Sequence, residues 1–236
     1  LKVPRSRREE VKSIFDRAAK EIGDVPIVVA NDGDVSALAG SMSLGTGCVM
    51  GLAMGTSEAV GYVNAGSSLL GWFSELAFAP VDLNERAMRD EWSGDRGVGC
   101  KYFSQDAVAK LAPAAGIALS ERLTPAEKLK EVQKLAEQGL PYAQEIFRSI
   151  GVYLGHTLCL YERLYDIRSL IVLGRVASGV GGELIVAECR RVLEEEYPEL
   201  AQKLCVMLPD EKFRRVGQSM AAASLPEISP CRSARG

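Results

Sequence analysis

Three short groups of residues between positions 27 and 75 could carry chemistry. Asn31-Asp32 closes the apolar run Ile27-Val28-Val29-Ala30 and sets an amide beside a carboxylate. A strand that stops so abruptly delivers both groups to the carboxyl edge of a sheet, where ligands of open α/β sheets bind. Asp32 is then either a general base for a nearby hydroxyl or a cap on the helix that follows. Gly55-Thr56-Ser57 is a glycine-led turn between two apolar segments, which taken alone reads as an ordinary hairpin. Ser74-Glu75 adds a second acid, which is either a ligand or a surface charge.

These groups need elements to position them. Val11, Ile14, Phe15, Ala18, Ala19 and Ile22 recur at three- and four-residue spacing, which predicts an amphipathic helix over residues 6 to 22 ended by Gly23. Pro26 then introduces a strand at 27 to 30, and Asp32 or Asp34 caps a helix carrying Val35, Ala37, Leu38 and Met42. Strands at 48 to 54 and 59 to 63 read as antiparallel neighbours, with a return around Ala65-Gly66. Residues 71 to 104 lack sustained periodicity and form a loop-rich excursion, of the kind that is often functional.

The second half reads as mostly helical. Ser104 caps one helix, and Thr124-Pro125-Ala126-Glu127 is a capping box with proline at the first helical position. A long helix runs from Pro141 to Tyr165 and leads into the strand Leu170-Ile171-Val172-Leu173. A helix at 181 to 195, a strand at Leu204-Cys205-Val206-Met207 and a helix from Asp210 to Leu225 follow. The tail from 226 to 236 reads as flexible. Helices alternating with apolar strands indicate α/β layers, and the antiparallel segment makes the sheet mixed.

Composition narrows the function. With 47% hydrophobic residues, 25% charged residues and a formal charge of -3 over 236 residues, the chain is that of an ordinary globular protein. Its basic residues are dispersed, and the one dense cluster, Arg5-Arg7-Arg8, opens an amphipathic helix, so nucleic acid is not an expected partner of this segment. No apolar run reaches the roughly 18 residues of a membrane span, and no charged-then-apolar leader opens the chain. The cytoplasm is the expected compartment. Six dispersed cysteines without a C-x-x-C pair, beside one histidine, read as reduced thiols rather than a metal site.

The order of these pieces resembles the ROK family of bacterial sugar kinases and repressors, within the actin, heat-shock chaperone and hexokinase superfamily (the ASKHA type). The resemblance runs from about residue 10 to 225 and rests on the order of several motifs. It implies an actin-like (ribonuclease H-like) mixed β-sheet flanked by helices, forming one C-terminal lobe over residues 1 to 225. In those kinases an Asn-Asp pair holds the sugar and its aspartate takes the proton of the attacking hydroxyl. Asn31 and Asp32 match that pair. Gly55-Thr56-Ser57-Glu58-Ala59-Val60-Gly61 resembles the second phosphate loop, with Ser57 and Ala59 in place of glycines. Glu58 stands where the family has an apolar residue, and a carboxylate facing a triphosphate is repulsive without a metal ion between them.

Ser74-Glu75-Leu76-Ala77-Phe78 is similar to the family's sugar-binding Gly-Glu-x-Gly-His segment, with Glu75 retained and Phe78 at the histidine position. The zinc cysteines that normally follow are absent, so no zinc is expected: Ser93 to Cys100 holds a single cysteine. Ile171-Val172-Leu173-Gly174-Arg175-Val176 resembles the strand and turn leading to the adenosine pocket, in which Gly174 fits and Arg175 departs. His156 reads as a packing residue of the long helix.

Together the resemblance implies an ATP- and magnesium-dependent kinase of a hexose or amino sugar. Asp32 would be its base, Asn31 and Glu75 its sugar ligands, and Gly55, Thr56, Ser57 and Gly174 its nucleotide contacts. A homodimer follows from family analogy alone. The alternative is a non-catalytic sensor or scaffold of the same fold, favoured by Ser57, Glu58, Phe78 and Arg175. The superfamily's first phosphate loop, Asp-x-Gly-x-Thr, is not found in the sequence. The chain therefore reads as the C-terminal part of a larger protein, or as one that has lost its front lobe.

Overall fold

The computed structural model describes residues 3–23, 27–70, 74–210 and 213–225. Pro26, Gly71, Trp72, Cys231 and the expected flexible tail lie outside them. A 3-10 turn, Arg5–Arg7, leads into α1 (Arg8–Lys12) and α2 (Ile14–Ile22), which Gly23 closes at φ 139. The single helix expected here is broken at Ser13. Its apolar face is also largely uncovered, with Phe15 52% and Ile22 74% exposed.

The strand expected at 27 to 30 is absent. Ile27, Val28 and Val29 are exposed and have no strand partner among the described residues. A β-branched run has strand propensity, but a strand exists only where another offers a ladder. The following helix α3 (Asp32–Leu44) lies across the face of the sheet, so the chain enters it from outside the sheet plane.

β1 (Val49–Met54) and β2 (Glu58–Val63) form the expected antiparallel hairpin, with Val49 opposite Val63 and Met54 opposite Glu58. The excursion after Ser74 is irregular, as expected, apart from single 3-10 turns at Leu76–Phe78 and Gly99–Lys101. Then come α4 (Gln105–Ala114), capped by the Ser104 hydroxyl, and α5 (Pro125–Glu137), whose Thr124–Glu127 capping box is complete. The long helix is α6 (Pro141–Leu164). β3 (Ser169–Leu173), α7 (Gly179–Glu196), α8 (Pro198–Lys203), β4 (Cys205–Met207) and α9 (Gln218–Ser224) complete the chain, with one π-helical turn, Phe213–Gly217, ahead of α9.

The sheet order is β2-β1-β3-β4, and β1, β3 and β4 are parallel, so the sheet is mixed. Its main core lies on the α6 side, where Met50, Leu52, Leu170 and Val172 meet Phe147, Leu154 and Ile185. On the other face Val49 and Ile171 pack against Ala39, Phe213 and Ala221. Helix α3 comes unusually close to β2: a Cβ on Gly61 would lie 2.2 Å from the Gly33 backbone. Gly61, which resembles a phosphate-loop glycine, therefore serves the helix–sheet contact.

One buried cation ties the excursion's acids together. Lys101, with 7% of its side chain exposed, places Nζ 2.5 Å from Glu91, 2.6 Å from Asp106 and 3.5 Å from Asp90. Asp90, bound by the Ser93 backbone N–H as well as by Lys101, stays below the usual carboxylate range. Lys101→Met leaves buried acid without its counter-ion, and is expected to cost about 3 kcal/mol in urea unfolding. Unchanged stability would show that the excursion is held by its backbone turns instead.

Candidate functional site

A cleft of about 450 Å³ opens at the carboxyl ends of β1 and β3, and it gathers every site residue singled out from the sequence. Asn31, Asp32 and Asp34 reach it from the first turn of α3. The hairpin turn Gly55, Thr56 and Ser57 faces them, while Ser74, Glu75 and Gly174 complete the rim. Such a position is where open α/β sheets bind ligands.

The cap of α3 is Asn31, neither Asp32 nor Asp34 as the sequence suggested. Its Oδ1 accepts from the Gly33 N–H at 2.8 Å, with the backbone at φ -70 and ψ 143. An amide with one oxygen committed to the helix still offers two N–H donors to a ligand. Asp32 occupies the first helical position, exposed, with Oδ1 at 3.0 Å from the same N–H. The partial positive charge of a helix N-terminus favours carboxylates there. Asp34 was visible in the sequence only as an alternative cap. It is half-buried in the cleft, and burial raises its carboxyl above the usual range against the pull of the Tyr62 backbone N–H.

The hairpin turn closes on itself through Gly55 N–H to Ser57 O at 3.0 Å, and the Gln105 N–H anchors Gly55 O from the start of α4 at 2.9 Å. Gly174 is required by two measures: φ is +95, and a Cβ would lie 2.5 Å from the Met54 carbonyl oxygen. The adjacent Val176 N–H bonds that same oxygen at 3.1 Å. β1, β3 and α4 thus converge on one small-residue floor.

Glu58 is placed differently from an exposed acid of the turn. It borders the cleft, yet it is only 5% exposed, and strand alternation turns its side chain with Val60 and Tyr62 toward α6. Burial pushes its carboxyl up to about 8, opposed by the hydrogen bond from the Tyr161 hydroxyl at 3.2 Å. Burial thus disfavours the charged form from which the anticipated repulsion would come. Glu75 is exposed on the cleft wall, where the Phe78 N–H bonds its carbonyl at 3.3 Å. Phe78, at the expected histidine position, stacks on the exposed Trp92 with ring centroids 5.4 Å apart.

A second cleft, of about 390 Å³, adjoins the first and shares Ala53 and Gly174 with it. It runs past Ser178 and Gly179 at the N-terminus of α7 to Pro209, Phe213 and Gln218. Arg175 is exposed and lines neither cleft, and its carbonyl accepts from Gln133 and the Ser178 hydroxyl. His156 stands on the exposed flank of α6 and packs edge-on against Tyr197, its Nδ1 3.0 Å from the hydroxyl. Among the described residues no group of three or more His, Cys, Asp or Glu could hold a metal ion. No helix among them is long and apolar enough to cross a membrane.

No protein-family model matches the sequence, and no curated protein matches it. Solved structures do. A ROK family glucokinase from Streptomyces griseus, in complex with glucose and AMPPNP, superposes with a TM-score of 0.66 at 22% identity, over 89% of this chain and 71% of that one. A ROK hexokinase from Thermus thermophilus gives 0.65 at 18%, over 88% of this chain and 67% of its own. A ROK family transcriptional regulator, a homologue of the E. coli MLC protein, gives 0.67 at 18%, over 87% and 53%. This chain has the mixed α/β fold of the ROK sugar kinases and of a ROK regulator, and it spans between about half and seven tenths of their lengths.

Proposed function

We propose that this chain is the C-terminal lobe, residues 1 to 225, of a ROK-type sugar kinase acting on a hexose or amino sugar. The observation behind this reading is the convergence of an Asn-Asp pair at a helix N-terminus, a glutamate and a glycine-led hairpin on one cleft that continues into a second. Asn31 and Glu75 hold sugar hydroxyls, and Asp32 accepts the proton of the attacking one. That oxygen forms a bond to the terminal phosphorus of ATP as the bond to the bridging oxygen breaks, and ADP leaves. Gly55, Thr56, Ser57 and Gly174 border the phosphates, with the adenosine in the second cleft. Magnesium would come with the nucleotide phosphates and would offset their charge beside Gly55, Thr56 and Ser57.

The second reading is a sugar or nucleotide sensor of the same fold. It is favoured by the hairpin, where Ser57 replaces a glycine, by Phe78 at the histidine position, and by the equal likeness to a regulator. Measuring ADP formation by the whole protein of which this chain is the proposed lobe, with Mg-ATP and a panel of hexoses and amino sugars, separates the two. Sugar-dependent ADP release supports the kinase. Binding of sugar without turnover supports the sensor, and no response from either ligand removes both.

A further inference from the structure

At the inner edge of the cleft, one buried group has no role in the chemistry proposed above. Glu58 is buried under the wall that carries Glu75, its Oε1 3.2 Å from the Tyr161 hydroxyl and its Oε2 without a hydrogen-bond partner. The Tyr161 hydroxyl also lies 3.4 Å from the carbonyl of Leu76, the residue after Glu75. That carbonyl anchors the wall turn through the Ala79 N–H at 2.9 Å, and the Ala79 carbonyl in turn accepts from the Gly99 N–H at 3.1 Å. Gly99 abuts the orphan oxygen: a Cβ there would lie 2.1 Å from Oε2. Glu58 therefore touches the wall twice, through Tyr161 to Leu76 and directly at Gly99.

A tyrosine hydroxyl has one proton and here two acceptors within reach. If Glu58 is ionised it can only accept, and it draws the Tyr161 proton away from Leu76. If Glu58 carries a proton, it can donate to the Tyr161 oxygen and leave the Tyr161 proton for the Leu76 carbonyl. We infer that Glu58 works as a neutral carboxylic acid, donating to Tyr161 so that Tyr161 donates to Leu76, and so serves as the positioning residue for the wall that presents Glu75. The titratable groups facing it are the Tyr161 hydroxyl, held well above its ordinary range by burial, and the Cys100 thiol, which burial pushes up to about 11. The nearby Lys101 ammonium is committed to Asp90, Glu91 and Asp106. Proton loss below pH 10 at this locus therefore belongs to Glu58.

Hydrogen exchange of the full chain between pH 6.5 and 9.5, corrected for intrinsic base catalysis, reads the wall without any ligand. Protection of the Phe78, Ala79 and Gly99 amides is expected to fall in a step centred near pH 8, reaching about tenfold by pH 9 as the protonated fraction drops. Glu58→Gln, whose amide can donate in place of the acid, keeps the neutral-pH protection and loses the step. Tyr161→Phe breaks the relay, so its wall is weakly protected at every pH. A step that persists in Glu58→Gln, a flat wild-type profile or a Tyr161→Phe wall like the wild type's would each overturn the inference. Should Glu58→Gln not fold, the wild type and Tyr161→Phe decide it. The functional consequence rests on the sugar-site reading: hexose affinity weakens about tenfold from pH 7 to pH 9 in the wild type and not in Glu58→Gln. Absence of sugar binding at every pH would count against the sugar site alone, since the exchange profile decides the role of Glu58 independently.

Discussion

Glu58→Gln is expected to resist unfolding better than the wild type at pH 8 while differing little from it at pH 5. The glutamate carboxyl ordinarily titrates near 4.5, and in the folded chain burial lifts it to about 8. An acid with a raised folded pKa stabilises fully below its unfolded value, and that contribution is lost as the pH rises through the folded one. Each unit is worth about 1.4 kcal/mol, so the wild type loses on the order of 4 kcal/mol between pH 5 and pH 8 that glutamine does not lose. For a chain of this length that is a shift of roughly 8–16 °C in Tm. Denaturant unfolding of both proteins at pH 5, 6, 7 and 8 measures it. Parallel stability profiles would mean that Glu58 reaches solvent in solution.

In the whole protein of which this chain is the proposed lobe, Asp32→Asn is expected to cut sugar phosphorylation by about 10²–10⁴-fold, the usual contribution of a positioned general base. The amide keeps the shape and loses the ability to accept a proton, so sugar affinity should stay within a few-fold. Stability should hardly change, because Asn31 caps α3 and Asp32 only shares its Gly33 N–H. A fall in kcat with constant KM and constant Tm is the expected pattern. Asp34→Asn provides the internal comparison. If it removes turnover while Asp32→Asn does not, the half-buried acid of the pair is the base.

The parts of this fold that were legible in the sequence are those decided locally. The Thr124–Glu127 capping box, the hairpin of β1 and β2 and the long α6 each announce themselves within about twenty residues, and each is present. What was not legible depends on neighbours. Ile27-Val28-Val29 has the composition of a strand, yet no strand among the described residues pairs with it. Ser13 breaks a periodic helix with no signal stronger than a serine. The short helix α8 begins at Pro198, a first-turn proline whose signal is too local to separate it from α7. The site shows the same division. Asn31, Asp32, Glu75 and the hairpin turn were found from residue type and order, and the structure brings them to one cleft. Glu58 is set before the phosphates by the resemblance of 55 to 61 to a phosphate loop, and only the alternation of β2 against α6 reveals it as a buried acid. Asp34 was passed over as a cap for want of any view of the Tyr62 N–H beside it.

The central claim is that the Asn31, Asp32 and Glu75 cleft is a sugar site. Its most direct test is calorimetric titration of hexoses and amino sugars, in the presence of Mg-ATP, into the wild type and into Asn31→Ala. The variant gives up a helix cap, at a cost of about 1 kcal/mol that leaves the chain folded. Binding in the wild type that weakens at least tenfold in folded Asn31→Ala is the expected result. Equal binding in the two proteins would place the sugar elsewhere, and the absence of heat from every sugar would contradict the claim outright.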